Sequence, residues 1–93
     1  MRRELVRTSA FVRAARRHLK KNSRFAADVE AILQILAENA FDNRLKSHKL
    51  KGALDGIWAC SAGRDLRILF QFAQHGDRET IQLLSLGTHD EVY

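Results

Sequence analysis

The apolar residues of this chain change their spacing once, and that change limits the fold more than any other feature. Up to about residue 39 they recur every three or four positions, and from residue 57 onwards they alternate or run together. The first spacing lines one stripe of a helix, whereas alternation lines one face of a strand. Residues 10–21 carry Phe11, Ala14, Ala15 and Leu19 at helical spacing, with Arg13, Arg16, Arg17 and Lys20 on the other side. Thr8 and Ser9 are suitable N-caps for this helix. Asn22 and Ser23 interrupt the pattern, and Ser23 is expected to cap a second helix reaching about Asn39, with Phe25, Val29, Ile32, Leu33 and Leu36 on one face. Two helices across so short a break form a helical hairpin.

Weak alternation over residues 3–7 predicts a short strand ahead of the helices. Residues 44–52 are polar, basic and without period, and read as an extended loop. Strands are predicted over 57–60, 66–72 and 80–86. The first two are separated by Ser61-Ala62-Gly63, and the last two by Gln74-His75-Gly76-Asp77, where Gly76 can take a positive φ. Gly87 is expected to end the last strand and residues 88–93 to form a tail. The order β-α-α-β-β-β predicts an α+β fold: a helical hairpin packed on one face of a mainly antiparallel sheet. Within 66–72, Ile68, Phe70 and Phe72 share one face, while Arg67, Leu69 and Gln71 point the other way. Trp58, Cys60, Phe70 and Phe72 are expected in the core, and His18 and His75 at the surface.

A chain of 93 residues is one domain. No apolar stretch approaches the ~20 residues needed to cross a bilayer, and Met1-Arg2-Arg3-Glu4 leads into no signal-peptide core. A cytoplasmic protein is expected. The single cysteine, Cys60, excludes an internal disulfide and fits a reducing compartment. Cys60 with His48 and His89 matches no zinc-ligand spacing, so neither metal nor another cofactor is expected. The net charge of +5 is uneven: residues 1–24 hold nine Lys/Arg against Glu4 alone, and residues 44–51 add Arg44, Lys46, Lys49 and Lys51 with no acid. Such a footprint suits a polyanion or an acidic protein partner, although a basic helix taken alone reads equally well as a solvated face.

Leu50-Lys51-Gly52, then Trp58, then Gly63-Arg64-Asp65-Leu66-Arg67-Ile68-Leu69-Phe70, then Leu86-Gly87-Thr88-His89-Asp90-Glu91-Val92-Tyr93 form an ordered set over the whole chain. This set, with the element order, resembles the RelE/ParE toxin superfamily of type II toxin–antitoxin systems. The ending Gly-Thr-His-x-x-x-Tyr, with His48 just before Lys49-Leu50, is similar to its YafQ-like branch. The resemblance implies a metal-independent, ribosome-dependent endoribonuclease that cuts mRNA and thereby inhibits translation. Its implied partners are mRNA, the ribosome with its 16S rRNA, and a cognate antitoxin in a hetero-oligomer. It also implies catalytic positions at His48, Asp65, Arg67, His89 and Tyr93. Two departures stand out: Ser61 lies near the place of a further histidine of that branch, and Leu66 replaces a tryptophan.

The chemistry agrees with these residue types. RNA carries its own nucleophile, the 2′-OH, so cleavage needs a base, an acid for the departing 5′-oxygen, and cations at the phosphorane. Histidine, with an unperturbed pKa near 6.5, suits the acid and base roles. Arginine binds phosphate through a fork of donors that stays protonated. His48 or Asp65 would be the base, His89 the acid and Arg67 the phosphorane stabiliser, with Tyr93 positioning or stacking on a base. Lys49, Lys51 and Arg64 would hold flanking phosphates. The basic helix residues Arg13, Arg16, Arg17 and Lys20 would add RNA contacts. An acidic antitoxin segment that folds on binding would cover basic groove and active site together. Asp65 and Arg67, two apart, would share a face and could instead be an exposed ion pair. Two other functions fit the same fold or charge: a ParE-like toxin that inhibits DNA gyrase and catalyses nothing, and a basic nucleic-acid-binding module without activity.

Overall fold

The computed structural model describes residues 2–52, 56–63, 65–88 and 92. The elements run β1 (Glu4–Arg7), α1 (Ser9–Lys21), α2 (Phe25–Glu38), a 3₁₀ turn (Asn43–Leu45), β2 (His48–Lys49), β3 (Trp58–Ala62), β4 (Leu66–His75) and β5 (Arg78–Thr88). The strands form one sheet in the order β1-β5-β4-β3-β2. Pairing is antiparallel except at β1, which runs parallel to β5. The α+β expectation holds, with one strand more than the sequence predicts. Residues 44–52 are not all loop, because His48 and Lys49 pair with Ala59 and Trp58. A two-residue edge strand is too short for alternation to announce it.

Capping fixes where α1 begins. The Thr8 hydroxyl accepts from the Phe11 amide at 3.2 Å and donates to the Leu83 carbonyl at 2.7 Å, so the same side chain caps the helix and ties it to β5. Replacing Thr8 by alanine should lower the unfolding free energy by about 1–2 kcal/mol. The urea midpoint should fall with no change in slope. At α2 the expected Ser23 cap is not used. The helix starts at Phe25, the residue ahead of it is Arg24, and the Asn22 carboxamide accepts from the Arg24 amide at 3.0 Å. Asparagine closes this local turn better than serine because its carboxamide oxygen reaches an amide two residues on.

Both helices pack on the same sheet face. Phe11 and Ala14 from α1, and Val29, Leu33 and Leu36 from α2, meet Cys60, Ala62, Leu66, Ile68, Phe70, Ile81, Leu83 and Leu86. Phe70 is fully buried at its centre. His18, expected at the surface, is buried instead. It lies four residues from Ala14 and seven from Phe11, so helical geometry carries it onto the buried stripe. Beyond the ends of the helices the core continues as a ring cluster: Phe41 packs edge-on against Trp58 at 5.5 Å, and Phe72 meets both Trp58 and Phe70 at 5.7 Å.

The β4–β5 hairpin turns on Gly76 and Asp77, with φ 66° at Gly76, as a type II′ turn needs at its first central residue. Both strands outrun their expected lengths, and Gly87 pairs with Arg67 rather than ending β5. A bulge interrupts the pairing: Leu69 faces Ser85, but Phe70 faces Leu83. One residue of β5 is therefore extra, which lets Leu83 and Leu86, three apart, both reach the core. It also turns Leu84 and Ser85 together toward the opposite face. Among the described residues no helix is long and apolar enough to cross a membrane.

Candidate functional site

The sheet face away from the helices carries the chemistry. On β4 it presents Arg67, Leu69 and Gln71, because Ile68, Phe70 and Phe72 point into the core. Across β3, Ser61 pairs with Arg67 and Ala59 with Leu69; across β2, His48 pairs with Ala59. Directly paired residues share a face, so His48 and Arg67 emerge on the same side. They are two strands and two residues apart, a Cα separation of roughly 12 Å in an ideal sheet. Only Ala59 and Ser61 stand between them on β3, and Gly87 flanks Arg67 on β5. Arg67 thus has residues with little or no side chain, Ser61 and Gly87, on both of its cross-strand flanks.

Local hydrogen bonds orient these side chains. The His48 Nδ1 lies 3.2 Å from the Lys46 carbonyl. When it carries the proton, Nδ1 donates there and Nε2 holds the lone pair, the arrangement a proton acceptor needs. Lys46 reaches this place through a left-handed backbone, φ 52°, where the chain swings from the 3₁₀ turn into β2. Arg67 is half-buried and its Nη1 donates to the Leu66 carbonyl at 2.9 Å.

Other sequence-predicted positions are distributed differently. Asp65 precedes β4 and lies in the turn after Gly63, where it lines a depression with Phe25, Asp28 and Ile32 of α2. Two-residue spacing puts side chains on one face only within a strand, and Asp65 lies outside one, so its shared face with Arg67 is not seen. Lys49 pairs with Trp58, whose ring is packed on the helix side, so Lys49 leaves the sheet opposite to His48. Lys51 is exposed in the following loop. Arg13, Arg16, Arg17 and Lys20 are exposed on the outer side of α1, with Arg16, Arg17 and Lys20 around a depression beside Leu19. Since α1 packs behind the sheet, these four residues stand on the far side of the molecule from His48 and Arg67. Arg64, His89 and Tyr93 lie outside the described residues.

Two ionisable groups are shifted for reasons the fold makes plain. Asp42 takes two hydrogen bonds from the Arg44 guanidinium, at 3.0 and 2.9 Å, and one from the Arg44 amide. This partner holds the Asp42 carboxyl at about 2 and raises Arg44 in turn. Arg44 therefore has a resident carboxylate, and Lys46, Lys49 and Lys51 carry the basic character of the loop. Burial pushes the Cys60 thiol up to about 12, so it packs as a small core residue and has no nucleophilic character. Among the described residues no three His, Cys, Asp or Glu side chains gather as a metal site requires.

Sequence reasoning passed over three features of this face. The flanking Ser61 and Gly87 read as turn residues, and β2 reads as loop. The third is a cross-strand pair: Gln71 donates from Nε2 to the Gln82 Oε1 at 2.6 Å. Its only sequence signal is a polar residue at an outward position of each strand.

The family model described as the bacterial toxin of type II toxin–antitoxin system, YafQ, matches residues 3–93. Solved structures repeat the fold at low sequence identity. A YoeB/ParE toxin from Agrobacterium tumefaciens is 16% identical with a TM-score of 0.77, covering 92% of this chain and 98% of that one. YafQ from E. coli is 14% identical with a TM-score of 0.76, covering 98% of each chain. The toxin of the E. coli DinJ–YafQ toxin–antitoxin complex is 15% identical with a TM-score of 0.74, covering 100% of this chain and 99% of that one. No curated protein matches the sequence.

Proposed function

Because the chain belongs to the YafQ family of bacterial type II toxin–antitoxin toxins, we propose that it is a cytoplasmic, metal-independent endoribonuclease that cuts mRNA held on the ribosome. The observation that supports this most is the strand register that brings His48 and Arg67 to the sheet face opposite the helices. The His48 imidazole takes the 2′-OH proton through Nε2, and the 2′-oxygen attacks phosphorus. Arg67 holds charge on the phosphorane, and His89 protonates the departing 5′-oxygen. The products are a 2′,3′-cyclic phosphate and a 5′-hydroxyl end. Asp65, turned toward α2, leaves the base role to His48. Tyr93 positions or stacks on a base.

The ribosome supplies what a histidine and an arginine alone lack, a fixed in-line geometry for attack. Lys51, with Arg64, holds flanking mRNA phosphates, and Lys49 reaches phosphate from the other side of the edge strand. The basic outer side of α1 contacts a separate polyanion surface, such as 16S rRNA, because it stands behind the sheet. The partner in the resting cell is an antitoxin, as in the DinJ–YafQ complex. An antitoxin segment that covers both the His48–Arg67 face and α1 must pass around an edge of the sheet.

Replacing His48 by alanine or glutamine should lower cleavage of mRNA on programmed ribosomes by about 10²–10⁴-fold, with binding to the ribosome unchanged. Full cleavage by both variants removes His48 from the mechanism.

A further inference from the structure

The sheet face opposite the helices extends well beyond His48 and Arg67, and its far part has a composition the cleavage chemistry does not use. Four residues along β4 from Arg67, about 14 Å in an extended strand, stands Gln71. It is bonded across the strands to Gln82 at 2.6 Å, and both side chains are half-buried. On β1, Val6 pairs with Gln82 and is 40% exposed. On β5 the bulge turns Leu84 onto the same face, and on β4 Leu69 lies between Gln71 and Arg67. A locked pair of carboxamides is thus set among apolar side chains.

We propose that Gln71 and Gln82 read the polar edge of an RNA base a few nucleotides from the scissile phosphate, with Leu84 and Val6 supporting the base. This rests on the reading that the face bearing His48 and Arg67 holds RNA and names the part of that surface that would select sequence. The mutual bond engages one Gln71 N–H and one Gln82 lone pair. The Gln71 Oε1 and the Gln82 Nε2 keep an acceptor and donors for a ligand. A base edge presents donors and acceptors in the same plane, and glutamine is a recurrent reader of such edges. Holding both carboxamides in one rotamer before binding lowers the ordering cost. The apolar surroundings matter equally, because selective sites set a few fixed polar groups in apolar walls. The distance from Arg67 requires the chain to pass across Leu69, so the base read is not the one at the cut.

The test compares binding of wild-type protein, Gln71→Leu, Gln82→Leu and the isosteric Gln82→Glu to fluorescent oligo(A), oligo(C) and oligo(U) at low salt. Circular dichroism and the melting midpoint verify each fold. The wild type should prefer one homopolymer by about tenfold, and the leucine variants should bind all three alike. Gln82→Glu, which keeps shape but replaces donors by acceptors, should change which is preferred. Equal binding of all three by the wild type overturns the proposal, and so does a preference that survives in every variant. Binding is read without cleavage, so loss of the nuclease reading and loss of the base-reading pair are separate results. In cells, the Gln82→Leu protein should still cut mRNA, with a relaxed preference at one position displaced from the cut.

Discussion

Arg67→Ala is expected to lower cleavage of ribosome-bound mRNA by about 10²–10³-fold, the usual cost of removing one group that stabilises charge in a transition state. The fold should survive. Arg67 is half-buried on the face opposite the helices, and the core pairing of β4 runs through Ile68 and Phe70 on the other side. Arg67→Lys should recover only part of the loss, because an ammonium keeps the charge but not the fork of donors that spans two phosphoryl oxygens. Ser61 and Gly87 on either flank place no large side chain beside the guanidinium. Single-turnover cleavage on programmed ribosomes, with ribosome binding measured in parallel, checks this. A variant that binds poorly but cuts at the normal rate once bound would make Arg67 a docking residue.

Phe70→Ala carries the largest expected effect on stability. Its ring is fully buried at the meeting point of β3, β4 and β5, opposite Trp58 and Leu83 and edge-on to Phe72 at 5.7 Å. Truncation removes the buried ring and leaves a hole that the sheet can only partly close. A loss of about 3–5 kcal/mol follows. Domains are stable by only about 5–15 kcal/mol, so the variant should be largely unfolded well below the wild-type melting temperature. Thermal and urea denaturation read this directly, and a change under 1 kcal/mol would contradict the central placement of the ring.

The fold was legible where periodicity is long enough to measure. Two amphipathic helices and three long strands account for most of the chain, and the outward set Arg67, Leu69 and Gln71 follows from the inward set Ile68, Phe70 and Phe72. The missed features depend on partners remote in sequence. β2 exists because two backbone residues find β3, and His48 shares a face with Arg67 only by its pairing with Ala59. His18 is buried although histidine is usually a surface residue, because position outweighs residue type on a packed helix. Asp65 departs from Arg67 because the strand starts one residue later, and the bulge at Leu69/Phe70 resets the alternation of β5. Where the candidate residues stand was only partly legible. His48 and Arg67 share a face, whereas Lys49 and the α1 cations stand on the helix side. The Gln71–Gln82 bond gives no local signal, because hydrogen-bonding across strands requires the register.

If His48 and Arg67 act on one phosphate their effects are coupled, and a double-mutant cycle measures that coupling. Induced cells carrying wild-type protein, His48→Ala, Arg67→Ala or both are sampled, and 2′,3′-cyclic phosphate ends are mapped on ribosome-bound mRNA. Groups that act together in one transition state are strongly non-additive. The double variant should lose little more than the worse single one. Losses that multiply, or wild-type cells whose mRNA stays intact while DNA replication stops, would contradict it.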